Sequence, residues 1–296
     1  MLRLLLVVAL AAPACAQTDK PDAVAVDDAR QRRADSVITR TDGCCADSLA
    51  TAEVPVDLGD GTVTVRVWTA PITDRIGSPG LERYPLNALN LHDDESTSVE
   101  AALQVLRQRG GRVVELAHTG DRTVTFATGG RTYEADPNRM FTPLGRERTL
   151  DRFSEATPEA EAALEAFADS VLAVYAAEPP AVVVTLHNNT EANYSARSYE
   201  PGAEYAADAA AVTVHDGTDP DDFFFVTDRV LYDLLVGRGF NAVLQDNAAA
   251  TDDGSLSVWA AREGVPYVNV EAQHGHTVEQ ARMIEALVDV LSDRPE

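Results

Sequence analysis

The segment Ala181 to Leu186, reading Ala-Val-Val-Val-Thr-Leu, does most to limit what this chain can fold into. It is a continuous, largely β-branched apolar run with no alternation of polar and apolar positions. A strand with one wet face alternates; a strand covered on both faces does not. The run therefore calls for a sheet with helices on both sides, and the rest of the chain supplies the parts. Glu53 to Ala70 alternates around Asp60-Gly61 and reads as a hairpin. Further strands are expected at Leu86–Leu91, Arg112–Ala117, Thr123–Ala127, Arg131–Glu134, Ala211–Val214, Phe223–Val226, Ala242–Leu244 and Tyr267–Val270. Helices are expected at Val99–Arg109, opened by a Thr97-x-x-Glu100 capping box, and at Pro158–Tyr175, Asp228–Val236 and Thr277–Leu291. The alternation predicts a single three-layer α/β/α domain with a mixed, mostly parallel central sheet.

That domain is expected to occupy residues 51–296. Before it, Arg3, the apolar Leu4–Ala12 and Ala14-Cys15-Ala16 have the three parts of a secretory signal peptide, residues 1–16. Acylation of Cys15 as a lipoprotein is disfavoured by Ala12, where leucine is usual. Residues 17–50 read as a polar tail carrying the adjacent Cys44 and Cys45, which are given no catalytic role. The expected location is secreted or periplasmic, without membrane insertion. The chain has 48 acidic and 24 basic residues, a net charge of −24, and Lys20 is its single lysine. Such acidity repels a phosphate backbone and excludes nucleic acid as a partner. Oligomeric state has no signature here.

Polar residues follow three of these strands. His92-Asp93-Asp94-Glu95 comes after Leu86–Leu91, His187-Asn188-Asn189-Thr190 after the buried run, and Glu271 after Tyr267–Val270. Ligands in open α/β sheets bind beyond the carboxyl ends of strands. Two imidazoles and a carboxylate suit zinc with one open position, and a further glutamate suits a general base. Arg131 and Arg139 offer guanidiniums that match a carboxylate or a developing oxyanion. Each segment alone also reads as ordinary structure: an acidic loop, a core histidine satisfied by Asn188 or Asn189, surface arginines. Glu271-x-x-His274, with His276, is a competing metal pair, read as supporting or surface residues; His118 and His215 are read as structural.

Taken in order, His92-x-x-Glu95, Arg131-x6-Asn138-Arg139 within Asp136-Pro137-Asn138-Arg139-Met140-Phe141, Leu186-His187-Asn188-Asn189-Thr190 and Glu271 resemble the zinc carboxypeptidase superfamily. The resemblance is nearest to its compact branch of succinylglutamate desuccinylases and aspartoacylases, and it spans about Leu86 to Leu291. It implies that His92, Glu95 and His187 bind zinc, that Arg131 stabilises an oxyanion, and that Asn138 and Arg139 hold a substrate carboxylate. Glu271 would activate the attacking water and return its proton to the leaving amine. The glycine that precedes the family's glutamate is absent, replaced by Asp93-Asp94, and the substrate-capping tyrosine is open among Tyr194, Tyr199 and Tyr267. The expected activity is zinc-dependent cleavage of an amide next to a carboxylate, in a peptide, an N-acyl amino acid or a cell-wall fragment. The alternatives are a silent module of the same fold that binds acidic peptides or glycans, against which Glu271 counts, and a carbohydrate esterase, against which the arginines count.

Overall fold

The computed structural model describes residues 49–71, 86–176 and 181–293. The expected signal peptide, nearly all of the polar tail, and Cys44 and Cys45 lie outside the described residues. The hairpin forms from β1 (Ala50–Leu58) and β2 (Gly61–Ala70). There follow β3 (Leu86–Asn90), α1 (Ser96–Arg109), β4 (Gly111–Ala117), and a separate two-stranded ribbon of β5 (Val124–Thr128) and β6 (Arg131–Ala135). Two helices come next, α2 (Pro143–Phe153) and α3 (Pro158–Tyr175), then β7 (Val183–Asn189), β8 (Ala209–Thr213), β9 (Phe223–Val226) and α4 (Arg229–Gly237). The chain closes with β10 (Ala242–Gln245), α5 (Leu256–Glu263), β11 (Tyr267–Gln273) and α6 (Thr277–Asp293).

The main sheet has nine strands in the order β1-β2-β4-β3-β7-β11-β9-β10-β8. Strands β4, β3, β7 and β11 are mutually parallel, while β9 and β10 oppose them. With β1 opposing β2, β2 opposing β4 and β8 opposing β10, six strands run one way (β1, β3, β4, β7, β8, β11) and three the other. The long apolar run sits at the centre as β7, buried along its whole length. Alternate residues serve opposite layers. Val183 packs into one core with Leu164, Phe167 and Val171 of α3 and Leu256 of α5. Val184 and Leu186 pack into the other with Ala101 and Val105 of α1, Leu231 of α4 and Leu287 of α6. Two separate cores, one per face, are what an unbroken β-branched strand requires.

Three local readings change. α1 begins at Ser96, and Glu95 stands at its N-cap without a side-chain cap bond. The Thr97–Glu100 box does not form, because Thr97 Oγ1 accepts instead from the Gly275 amide at 3.0 Å. The first turn is satisfied from outside: Asn188 Oδ1 on β7 accepts from the Ser98 amide at 2.8 Å. Helices α2 and α5 add to the expected set; Thr142 caps α2 by accepting from the Gly145 amide, with Pro143 as first helical residue. Among the described residues, no helix is long and apolar enough to cross a membrane.

Candidate metal centre

The sheet register brings the chemistry together. Asn90 pairs with Leu186 and Glu271 pairs with His187, so β3, β7 and β11 deliver polar residues at one level of the same edge. The order β4-β3-β7 also makes this a switch point: the connection from β3 runs through α1 to β4 on one side, and β7 leads to the other half of the sheet. His187 and Glu271 lie within their strands rather than after them, since β7 continues to Asn189 and β11 to Gln273.

His92, Glu95 and His187 converge there, buried, with possible ligand atoms all within 4.8 Å of one another. His92 Nδ1 is 2.8 Å from Glu95 Oε1 and 3.1 Å from His187 Nδ1, and His187 Nδ1 is 2.9 Å from Glu95 Oε2. Three ligands around a tetrahedral zinc, each about 2.0–2.1 Å from it, stand roughly 3.3 Å apart, so this triangle is close to the required spacing. The orientation fits too. His92 Nε2 is 2.9 Å from Asp136 Oδ1, an arrangement that places a proton on Nε2 and aims the Nδ1 lone pair into the triangle. Behind His187, Gln280 Nε2 donates to the His187 carbonyl at 2.9 Å, and Asn188 Nδ2 donates to Gln280 Oε1. Asn188 thus holds the backbone around His187; it does not bond the imidazole.

The charges divide between the two histidines. Burial opposes a charge on His92, but the Glu95 and Asp136 carboxylates outweigh it and raise its pKa to about 9. Burial wins at His187 and lowers its pKa despite Glu95. Burial also opposes ionisation of Glu95, yet the two imidazoles hold its carboxyl well below the usual range. His92 in turn overrides burial to hold Asp136 low. Without a metal, one imidazolium therefore sits between two carboxylates, in a donor set of the hydrolytic zinc type.

Glu271 is 4% exposed, directly across from His187. Burial, reinforced by the Glu95 charge, pushes its carboxyl up to about 8, and Asn269 Nδ2 donates to Glu271 Oε2 at 2.8 Å. Asn138 and Arg139 follow β6 in a tight 3-10 turn capped by Asp136. Asn138 Nδ2 lies 3.4 Å from His187 Nε2, and its Oδ1 accepts from the Leu256 amide. Arg139 faces Asp253 at 3.6 Å and lies close enough to Tyr194 and Tyr199 to interact electrostatically. Those tyrosine hydroxyls bond each other, and both rings are near Glu271. Tyr267 bonds Thr185 in the sheet and is committed to it.

Arg131 is not brought to the centre. It starts β6, five residues before Asp136, and an extended strand carries it roughly 16 Å away. Its exposed guanidinium pairs with Glu155 and lies over the Tyr133 ring. The arginine that does reach the centre is Arg122, which the sequence reading passed over. Its Nη1 is 2.7 Å from Glu95 Oε1 and its Nε is 3.6 Å from Asp136 Oδ2. Arg122 lies in the loop between β4 and β5, with no strand end or motif to mark it; its position four residues after His118 carried no signal. His276 forms an ion pair with Asp222 at 3.0 Å, part of a more exposed group with Asp219, while His274 contributes its backbone amide to the Asn189 carbonyl. Among the described residues, the two groups of three or more possible metal ligands include neither Glu271 nor His274. His118 and His215 each retain a buried ring Nε2 without a hydrogen-bond partner.

Comparison of the sequence with protein-family models and with curated proteins returns no match. Solved structures do align. One is the crystal structure of murein-tripeptide amidase MpaA from Escherichia coli O157, at 16% identity over 83% of this chain and 93% of that one, with a TM-score of 0.41. Another is a candidate metallopeptidase from Shewanella denitrificans OS217, at 12% identity over 88% and 85%, with a TM-score of 0.37. At such scores, what this chain does must be read from its own geometry.

Proposed function

We propose that this chain is a zinc-dependent hydrolase that cleaves an amide bond next to a substrate carboxylate. The observation that carries the reading is the buried His92–Glu95–His187 triangle with the Glu271 carboxylate, held by Asn269, beside it. A structural ion-pair cluster that already holds Glu95 and Asp136 has no use for a third buried carboxylate, whose pKa is raised; a hydrolytic site needs one. His92, Glu95 and His187 would hold the zinc, which when bound supplies a Lewis acid for the scissile carbonyl. Asp136 fixes the His92 tautomer. Arg122 takes the role that the family resemblance implied for Arg131, with a half-exposed guanidinium at the rim of the triangle, where oxyanion charge develops. Asn138 and Arg139 bind the substrate carboxylate, which sets the scissile amide between them and the triangle. Glu271 takes a proton from the attacking water and delivers it to the leaving nitrogen; a carboxyl near neutral pKa can do both.

Three consequences of this reading are exclusion of water by the Tyr194–Tyr199 pair, secretion directed by the N-terminal leader, and a small-molecule or peptide substrate. The test is Glu271→Gln, nearly isosteric and unable to accept a proton. Zinc stoichiometry is expected to stay at wild type while kcat falls roughly 10²- to 10⁴-fold on N-acyl amino acids or peptides. A variant that keeps its turnover removes Glu271 from the reaction. One that loses its zinc makes Glu271 a ligand.

A further inference from the structure

Arg122 reaches the triangle from a loop that has little of its own to hold it there. Residues 118–123 join β4 to β5 without regular structure. Among the described residues, no backbone–backbone hydrogen bond outside the helices and strands involves this loop. Its amides turn instead to one side chain. Asp93 Oδ2 accepts from the His118 amide and from the Gly120 amide, each at 2.7 Å. Gly120 has a φ of +78°, a backbone conformation that lets both amides point to one oxygen. Thr119 Oγ1 donates to Asp121 Oδ2 at 2.6 Å within the same bend. Two residues beyond Gly120, Arg122 Nη1 donates to Glu95 Oε1 at 2.7 Å. Asp93 itself is outside the triangle, although it lies between His92 and Glu95 in sequence.

We infer that Asp93 is the positioning residue for Arg122: its carboxylate folds the 118–122 loop so that the guanidinium stands at the metal triangle. The turn from β3 to α1 then supplies three things in four residues, the ligands His92 and Glu95 and, between them, the anchor for the cation. The inference rests on the hydrolase reading above and deepens it, since it names what holds the oxyanion-stabilising group in place. The need for an anchor follows from exposure. A long side chain that is 47% exposed has many rotamers open to water, and a partly exposed ion pair holds it weakly. Fixing the backbone at its base removes part of that freedom before the reaction begins. A carboxylate suits the task, because one ionised oxygen takes both amides in charge-assisted bonds. Asp93-Asp94 stands where the resembled family has glycine, and a glycine could accept neither amide, so the anchor belongs to this chain rather than to the motif.

The test uses Asp93→Ala, which removes the acceptor, and Asp93→Asn, whose amide oxygen can still take both bonds. Asp94→Ala, an exposed neighbour of the same charge, controls for the loss of a carboxylate. Gly120→Pro removes one of the two donors from the loop side and serves where Asp93→Ala does not fold. Asp93→Ala is expected to lower kcat on an amide substrate about tenfold or more with KM within about twofold, because the interaction acts in the transition state. Asp93→Asn should recover most of that loss, and Asp94→Ala should match wild type. In an Arg122→Ala background, Asp93→Ala should cost less than about threefold, since the group that it positions is gone. Two readouts need no turnover. Hydrogen exchange at the His118 and Gly120 amides should quicken about tenfold or more in Asp93→Ala, and phenylglyoxal labelling of Arg122, followed by peptide mass, about threefold or more. Zinc content shows whether the neighbouring ligands survive. Wild-type kcat in Asp93→Ala, an equal loss with and without Arg122, loss of zinc, or an unchanged labelling rate each overturns the inference. If wild type cleaves no amide but exchange and labelling change as stated, Asp93 positions Arg122 and the hydrolase reading falls.

Discussion

Replacing Arg122 and Arg131 in turn separates the two arginines more sharply than any other pair of changes. Arg122 Nη1 reaches Glu95 Oε1 at 2.7 Å, yet the side chain is 47% exposed and Glu95 is also bonded by both imidazoles. Its loss therefore removes its partly exposed ion pairs with Glu95 and Asp136, at a stability cost of about 0.2–1 kcal/mol each. The catalytic cost should be far larger. A preorganised cation withdrawn from a developing oxyanion lowers kcat by roughly 10² to 10³, or about 2.7–4 kcal/mol. Arg131→Ala removes the exposed Glu155 pair and the contact with the Tyr133 ring, and both activity and stability are expected to stay within about 0.5 kcal/mol of wild type. The assay is kcat/KM on the best amide found, with urea unfolding of each variant and zinc content to show that the centre survives. Arg122→Ala within threefold of wild type would refute the assignment, and so would an Arg131→Ala variant crippled to the same degree.

Zinc binding should be linked to protons. His92, raised to about 9, holds a proton at pH 7 that a metal must displace. Uptake is then expected to release at least one proton, and apparent affinity to climb roughly tenfold per pH unit up to about pH 9 and level off above it. Calorimetry at pH 7 in buffers of different ionisation enthalpy counts the protons, and a count of zero contradicts the charge assignment. The sign for the metal-free protein is the reverse. The stability that charged His92 gives is complete below about pH 6.5 and lost as pH rises through 9, so the metal-free melting temperature should fall over that window. Gly254→Ala should cost about 2 kcal/mol or more, because φ is +82° and the new Cβ meets Gly145 Cα at 2.5 Å as well as the Arg139 carbonyl. Its urea midpoint should drop and its KM rise together; an unchanged midpoint would mean that Gly254 is not held against Gly145 and the turn that carries Arg139.

The layers of this fold are legible in the chain because burial writes itself into residue type. The β-branched run of β7 could lie only between two apolar layers, and Val183 and Val184 divide between the two cores as that demands. Pro158–Tyr175 could be read to the residue, since Thr157, Pro158 and a long apolar periodicity agree. The polar residues at or near the ends of β3, β7 and β11 could be read because an open sheet exposes those ends to a cleft. Contacts made across the fold leave no local mark. The amide that Asn188 satisfies at the start of α1 is 90 positions away in sequence, so a Thr-x-x-Glu pattern misplaced the helix start. Arg131 fits its motif by spacing, yet the direction of β6 carries it away from the centre, while Arg122 arrives from a loop without any periodic signature. Asp253 likewise acquires its place from two glycines in close contact, Gly145 and Gly254, more than 100 residues apart.

The central claim, that His92, Glu95 and His187 form one zinc centre, is tested most directly by elemental analysis of wild type and His187→Ala after zinc loading and dialysis. His187 contributes Nδ1 to the triangle, and its loss leaves His92 and Glu95 as a two-ligand remnant. The account predicts one zinc per wild-type chain and substantially none in His187→Ala, with circular dichroism showing both folded. A folded His187→Ala that holds wild-type zinc, or a wild type that holds none, would contradict it.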